Sequence, residues 1–309
     1  MDVFLTTIPF PIVDYDTLIF GKYIGSGNSG KVYKGFHTTQ KIIIKCFSTT
    51  NYISETELLN DISRELNIYK ILKQTTRLVT LYGISYHQSN DESNIYLLMK
   101  QYNHLGNLYH NITRDCFWES CRYQDTLQKD TYIYQSDDQY SKYTMSRENK
   151  IKITLEMCEA IKELHNLDIV HCDLKLQNML YHTNKDKTKQ IILFDFGGSV
   201  FLDTSKIMKV NEIIGTNGYI PPEMEQGIIC KKTDIYSLGV CILEIWMGKI
   251  WSTGDTYEEC RKELLKAMTQ FKQKEPKLSK ILYKCLHTNL DKRPYITTLY
   301  NQLITIMND

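Results

Sequence analysis

Two short segments carry residue types that phosphoryl transfer requires. The first is His171-Cys172-Asp173-Leu174-Lys175-Leu176-Gln177-Asn178 and the second is Asp195-Phe196-Gly197. In such a set a carboxylate, Asp173, orients an attacking hydroxyl and accepts its proton, while a lysine, Lys175, offsets charge on the transferred phosphate. Asn178 and Asp195 supply hard oxygen donors for Mg²⁺ ions bridging phosphates. The transition state is loose, so Asp173 acts mainly by alignment and needs no unusual basicity.

Further upstream stands Ile24-Gly25-Ser26-Gly27-Asn28-Ser29-Gly30-Lys31-Val32, a glycine-rich turn. Glycines let backbone amides approach phosphates that a side chain would block. The pattern alone is weak, because dinucleotide folds and ordinary loops share it. A dinucleotide site would open a helix at this point, whereas the run Lys31-Val32-Tyr33-Lys34-Gly35 reads as a strand. Lys45 ends the next apolar run, where a cation reaching inward can hold phosphates. Glu65, in Arg64-Glu65-Leu66-Asn67-Ile68-Tyr69, can pair with Lys45 and fix its direction, or can be one more solvent-facing helix charge.

These residues need elements to position them. Lys41 to Phe47 and Asn94 to Met99 read as strands, and Leu58, Ile62, Leu66, Tyr69 and Leu72 repeat at helical spacing between them. A small, mostly antiparallel unit with one helix is expected from about Tyr23 to Tyr102. Beyond 145 the pattern turns helical, with Ser146 as N-cap and Ile151, Leu155, Cys158, Ile161 and His165 on one stripe. A hairpin is expected from Gln177–His182 and Gln190–Phe194. Asp234 to Met247 is apolar nearly all round and closes at Gly248, as a central helix does. Residues 111–143 show no sustained period and read as a long surface insertion.

The chain has 309 residues, 42% hydrophobic and 24% charged, enough for a full core. Its 37 basic residues nearly cancel its 36 acidic ones, so no global field points to nucleic acid or an anionic membrane. Nine scattered cysteines without paired spacing argue against a disulfide framework or a structural zinc site. No signal peptide and no membrane-spanning segment is read, so an intracellular, cytoplasmic setting is expected. His165, His171 and His182 do not make a metal site.

Taken in order, the glycine turn, Lys45, Glu65, the His-x-Asp-x-Lys-x-x-x-x-Asn run, Asp-Phe-Gly, Pro221-Pro222-Glu223, Asp234 and Arg293 resemble the eukaryotic protein kinase family over about Tyr23 to Leu303. The resemblance implies an α+β, bilobal fold. It assigns an N-terminal extension to 1–22, a β-rich N-lobe to 23–102, a hinge to 100–106, an α-rich C-lobe to 107–303 and a tail to 304–309. It implies ATP with Mg²⁺, or Mn²⁺ in its place, and transfer of the γ-phosphoryl group to a protein substrate. Ile24, Gly25, Ser26, Gly27 and Gly30 would surround the nucleotide, Val32 and Leu180 would flank adenine, and Met99 would be the gatekeeper before a hinge containing Lys100 and Tyr102. Lys45 and Glu65 would pair, and Asn178 and Asp195 would bind metal. Glu223 would pair with Arg293, and Asp234 would brace the backbone near Asp173. Lys175 together with Thr216, in Gly215-Thr216-Asn217-Gly218-Tyr219, resembles the serine/threonine version.

Two positions depart from the family pattern. Cys172 stands where an arginine commonly precedes the aspartate (a non-RD variant), so a phosphate at Thr204 or Ser205 has one fewer partner, and activity independent of such a phosphate is expected. Ile43 stands where alanine usually roofs the adenine pocket, which adds bulk against ATP. These departures and the insertion leave open a pseudokinase that binds nucleotide or protein partners without efficient turnover. A lipid or small-molecule kinase is a further alternative, disfavoured by the segment from Thr216 to Glu223.

Overall fold

The computed structural model describes residues 8–27, 30–52, 54–89, 92–102, 104–108, 145–248 and 256–307. The insertion expected at 111–143 lies outside the described residues, as do Asn28, Ser29 and Asn103. The chain divides into two compact units, one from 1–103 with 194–201, the other from 104–193 with 202–309. Residues 194–201 thus group with the β-rich unit, although the family boundaries place them among the C-lobe residues. The reason is local: Asp195 ion-pairs with Lys45, and the Phe196 ring lies edge-on to Tyr69.

In the first unit β1 (Leu18–Gly27), β2 (Gly30–His37), β3 (Gln40–Ser48), β4 (Leu81–Gln88) and β5 (Ser93–Lys100) form an antiparallel sheet in the order β1-β2-β3-β5-β4. β1 starts at Leu18, ahead of the Tyr23 boundary. Cross-strand partners share a face. Val32, Lys45 and Leu97 therefore stand in one row and Lys34, Ile43 and Met99 in the next, on the same face. On the other face Ile42, Ile44, Tyr96 and Leu98 pack with Leu18, Val13 and Tyr15 in a second small core.

The residues ahead of β1 help to close this unit. Val13 N–H donates to Ile84 O at 2.7 Å, and Ile84 N–H to Pro11 O at 2.9 Å. This short parallel pairing occupies the open side of β4, the edge strand, and so removes a free pairing edge. It needs Gly83, because a Cβ there would lie 2.8 Å from Pro11 O.

Helix α1 (Glu55–Ile71) is capped by Ser54, whose hydroxyl accepts from Glu57 N–H. Leu58, Ile62, Leu66 and Tyr69 are all buried, on the stripe that spacing predicts, together with Glu65. Each such aliphatic side chain contributes roughly 1.5–3 kcal/mol on burial, and that drive holds a charged Glu65 inside.

In the second unit α2 (Arg147–Asn166) begins after the Ser146 cap. Its buried face is broader than the predicted stripe and centres on Ile153, Met157, Ala160, Ile161 and Leu164, leaving Ile151 and Leu155 half-buried at its margin. α3 (Lys231–Met247) is buried on all sides from Thr233 to Trp246 and ends at Gly248 in the left-handed conformation. Trp246 Nε1–H donates to Thr154 Oγ1 at 2.9 Å, tying α3 to α2. α4 (Tyr257–Lys274), α5 (Pro276–Cys285) and α6 (Ile296–Met307) complete the helical part. Strands His104–Asn107, Met179–Thr183 and Lys189–Leu193 form a three-stranded sheet in that order, which contains the expected hairpin.

Candidate active site

The first unit gathers one cation and two carboxylates. Lys45 Nζ lies 3.0 Å from each Glu65 oxygen and 3.1 Å from Asp195 Oδ1. Lys45 and Glu65 are buried, whereas the Asp195 side chain is 38% exposed. Burial pulls the Lys45 ammonium down, but the two carboxylates outweigh it and hold the lysine above its ordinary range. Burial raises Glu65, against the opposing pull of Lys45 and a hydrogen bond from Tyr69. Asp195 adopts a left-handed backbone at φ 66°, and its carboxylate accepts from Lys45.

The glycine turn closes the β1–β2 hairpin, with Gly27 opposite Gly30. At Gly30, φ is 127° and an added Cβ would lie 1.9 Å from Cys46 O, so only glycine fits. A Cβ on Gly25 would meet nothing within 4 Å, and Ile24 is exposed, so this stretch presents bare backbone. Met99 is buried across from Ile43. Lys100 N–H is taken by Thr80 O at 2.9 Å, and its ammonium sits 4.9 Å over the Tyr102 ring, which is itself buried.

The second unit builds a different cluster around Asp173. Thr216 Oγ1–H donates to Asp173 Oδ1 at 2.6 Å, and Lys175 Nζ donates to Asp173 Oδ2 at 2.8 Å and to Thr216 Oγ1 at 2.7 Å. Asn178 Nδ2 donates to Asp173 O at 2.9 Å. The loop that carries Asp173 hangs from α3: Asp234 accepts from His171 N–H at 2.9 Å, from Cys172 N–H at 3.1 Å and from His165 Nε2 at 2.9 Å. Asp234 is fully buried in the first turn of α3, where the helix N-terminus favours a negative charge. Arg293 donates to both Glu223 oxygens at 2.7 Å, and its Nε donates to His287 O at 2.7 Å. Leu180 lies half-buried in strand Met179–Thr183, opposite Ile192.

A family model described as the protein kinase domain matches residues 18–303. The chain belongs to the protein kinase family. An Aurora kinase of Debaryomyces hansenii is 31% identical over 76% of this chain and 48% of its own length. A probable LIM domain-containing serine/threonine-protein kinase of Dictyostelium discoideum is 28% identical over 74% of this chain and 20% of its own. The stress-activated protein kinase alpha of the same organism is 25% identical over 96% of this chain and 43% of its own. The chain therefore spans less than half the length of these curated relatives.

The β-rich and helical units are those of the bilobal α+β kinase fold. Within this kinase domain, each unit brings its own predicted site residues together: Lys45, Glu65 and Asp195 in one, Asp173, Lys175, Thr216 and Asn178 in the other. No helix among the described residues is long and apolar enough to cross a membrane.

Two features escaped the sequence reading. One is Tyr69, which spacing marks only as a core residue. Its hydroxyl lies 3.2 Å from Glu65 Oε1 and 3.5 Å from Met99 Sδ. The other is Asp168, whose Oδ1 accepts from Lys231 at 2.6 Å and Lys206 at 2.8 Å, and whose carbonyl accepts from Leu202 N–H at 2.8 Å. The i,i+4 spacing of Glu65 and Tyr69 on one helix is a local signal for the first, whereas Met99 and the partners of Asp168 are brought in only by the fold.

Proposed function

We propose that this chain transfers the γ-phosphoryl group of ATP, in the presence of Mg²⁺, to serine or threonine hydroxyls of a protein substrate. The observation that carries this reading is the double grip on Asp173, one oxygen held by Thr216 and the other by Lys175. A carboxylate so held keeps a fixed direction, which is what alignment of an acceptor hydroxyl demands. The hydroxyl oxygen forms the new bond to the γ-phosphorus, the bond to the β-phosphate oxygen breaks, and the released proton passes to Asp173.

The residues fit a divalent cation. Lys45 carries one positive charge against two carboxylates, so the first-unit cluster retains a surplus negative charge at its exposed member, Asp195. Asn178 commits its nitrogen to Asp173 O, which leaves the amide oxygen as its donor to a metal. Asp195 and Asn178 would hold Mg²⁺, which when bound neutralises phosphate oxygens. Lys45, steadied by Glu65, would take the α- and β-phosphates, and Ile24, Gly25, Ser26, Gly27 and Gly30 would lay backbone along the triphosphate. Val32, Leu180 and Met99 would meet adenine, with Lys100 offering its carbonyl, because its N–H is taken by Thr80. Tyr102 would back the hinge.

A scaffold that binds nucleotide without turnover is the second reading, favoured by Ile43 standing beside Met99 on the Lys45 face. Incubating the chain with radiolabelled Mg-ATP and mixed proteins, followed by phosphoamino-acid analysis, separates the two. Label on phosphoserine and phosphothreonine, lost in Asp195→Asn, supports the enzyme. Tight Mg-ATP binding in calorimetry with no transferred label supports the scaffold.

A further inference from the structure

Tyr69 lies on the buried stripe of α1, one turn beyond Glu65, and is 2% exposed. A packing role alone calls for a ring here, and the ring makes an edge-on contact with Phe196 at 5.7 Å between centroids. It does not call for a hydroxyl. Burying one without a partner costs about 1–3 kcal/mol, so the partners of this oxygen show what it is for.

Its partners are Glu65 Oε1 and Met99 Sδ. The hydroxyl has one proton. A carboxylate is a far stronger acceptor than a thioether, so the proton goes to Glu65 and the sulfur abuts the oxygen. Lys45 Nζ meets both Glu65 oxygens, so Oε1 accepts from Lys45 and from the Tyr69 hydroxyl together. A buried carboxylate on a glutamate side chain has rotamers to choose from, and a second donor, one turn along the same helix, removes that choice. Burial pushes the Glu65 carboxyl toward its neutral form, which would release Lys45, and the Tyr69 hydrogen bond opposes that push.

We propose that Tyr69 is a positioning residue: its hydroxyl, fixed against the Met99 thioether, locks the Glu65 carboxylate onto Lys45. The lysine is thereby held in place before nucleotide arrives. Met99 gains a second role, since the residue at the adenine end of β5 also abuts the hydroxyl that steadies the phosphate end of the site. This rests on the assignment of Lys45 to the nucleotide phosphates.

The test uses the full chain with Tyr69→Phe, which keeps the ring, and Tyr69→Leu, which removes it. Two readouts are taken: kcat and KM for ATP, and the Nζ–H signal of Lys45 in nitrogen-labelled protein, which a buried, doubly paired ammonium keeps resolved. For Tyr69→Phe we expect kcat/KM for ATP to fall about tenfold or more, the scale of a hydrogen bond to a charged group. Its KM for the protein substrate stays unchanged, its fold is retained, and the Lys45 signal broadens. Tyr69→Phe matching the wild type while Tyr69→Leu fails would mean that the ring acts by packing alone, and would overturn the proposal. A Tyr69→Phe chain that does not fold would also count against it, since positioning is not folding. A wild type that transfers no phosphate refutes the enzymatic reading instead, and the Lys45 signal still decides the role of Tyr69.

Discussion

Lys231 Nζ reaches Asp168 Oδ1 at 2.6 Å, and Lys206 closes on the same oxygen at 2.8 Å. Lys206 belongs to the segment that follows Asp195-Phe196-Gly197, and Lys231 opens α3. Asp168 therefore pins that segment to the helical unit through two cations, and its own carbonyl holds Leu202 N–H. Cys172, buried at φ 65°, offers no cation for a phosphate. Ser205 is engaged with Asp203 and the Ile207 carbonyl. The double substitution Thr204→Ala with Ser205→Ala is expected to keep most of the phosphotransfer rate, whereas Asp168→Asn lowers it. Initial-rate assays on the three proteins check this, and abolished turnover in the alanine variant would contradict it.

The same carboxylate carries a pH signature. The Lys206 hydrogen bond, then that of Lys231, hold Asp168 down at about 2, below its ordinary 3.8. A depressed carboxylate stabilises the fold fully above its unfolded pKa, and the contribution disappears as pH falls through the folded value. The stability deficit of Asp168→Asn is thus constant above 3.8 and shrinks between 3.8 and about 2. Urea midpoints across that range measure it.

Arg293 and Glu223 are both buried and joined by two 2.7 Å hydrogen bonds. Removing one partner strands the other charge, so Arg293→Ala should cost about 3–5 kcal/mol of stability. Arg293→Lys should recover little of it, because an ammonium cannot make the paired contact. Chemical denaturation of the variants is the measurement.

Gly30→Ala places a methyl against Cys46 O in a backbone region that alanine avoids. The hairpin must shift, and with it the bare backbone at Gly25. Mg-ATP affinity should fall by about tenfold or more, a displacement worth about 1.4 kcal/mol, with little change in the Asp173 cluster. Calorimetric titration reads the change directly.

Thr216→Val removes the hydroxyl that bridges Lys175 and Asp173. It should lower kcat by about tenfold, the value of one hydrogen bond to a charged group. Mg-ATP affinity should not change, because the nucleotide residues of the first unit are untouched. A steady-state comparison of kcat with nucleotide affinity checks both halves.

Local pattern carried much of this into view. The α1 stripe from Leu58 to Tyr69, the Ser146 cap and the all-round apolar α3 follow from period and composition, which act within one element. The pairing of Lys45 with Glu65 is legible through the family motif order, because the helix carries six charged residues and spacing alone does not single out Glu65. What stayed hidden depends on distant partners. Nothing near Pro11 or Val13 signals that they pair with Ile84 on the sheet edge. Tyr69 looks like any core aromatic until its oxygen is seen against Glu65 and Met99. Asp168, Lys206 and Lys231 are ordinary surface charges in the sequence, and only tertiary folding makes them one clasp.

The phosphotransfer role of Asp173 is tested by the initial rate of labelled phosphate transfer from Mg-ATP to protein serine and threonine by the intact chain, beside Asp173→Ala. Measurable transfer by the wild type and a fall of about a hundredfold or more in the variant, with nucleotide affinity retained, are the expected results. A folded wild type that binds Mg-ATP yet transfers no faster than Asp173→Ala would contradict that role.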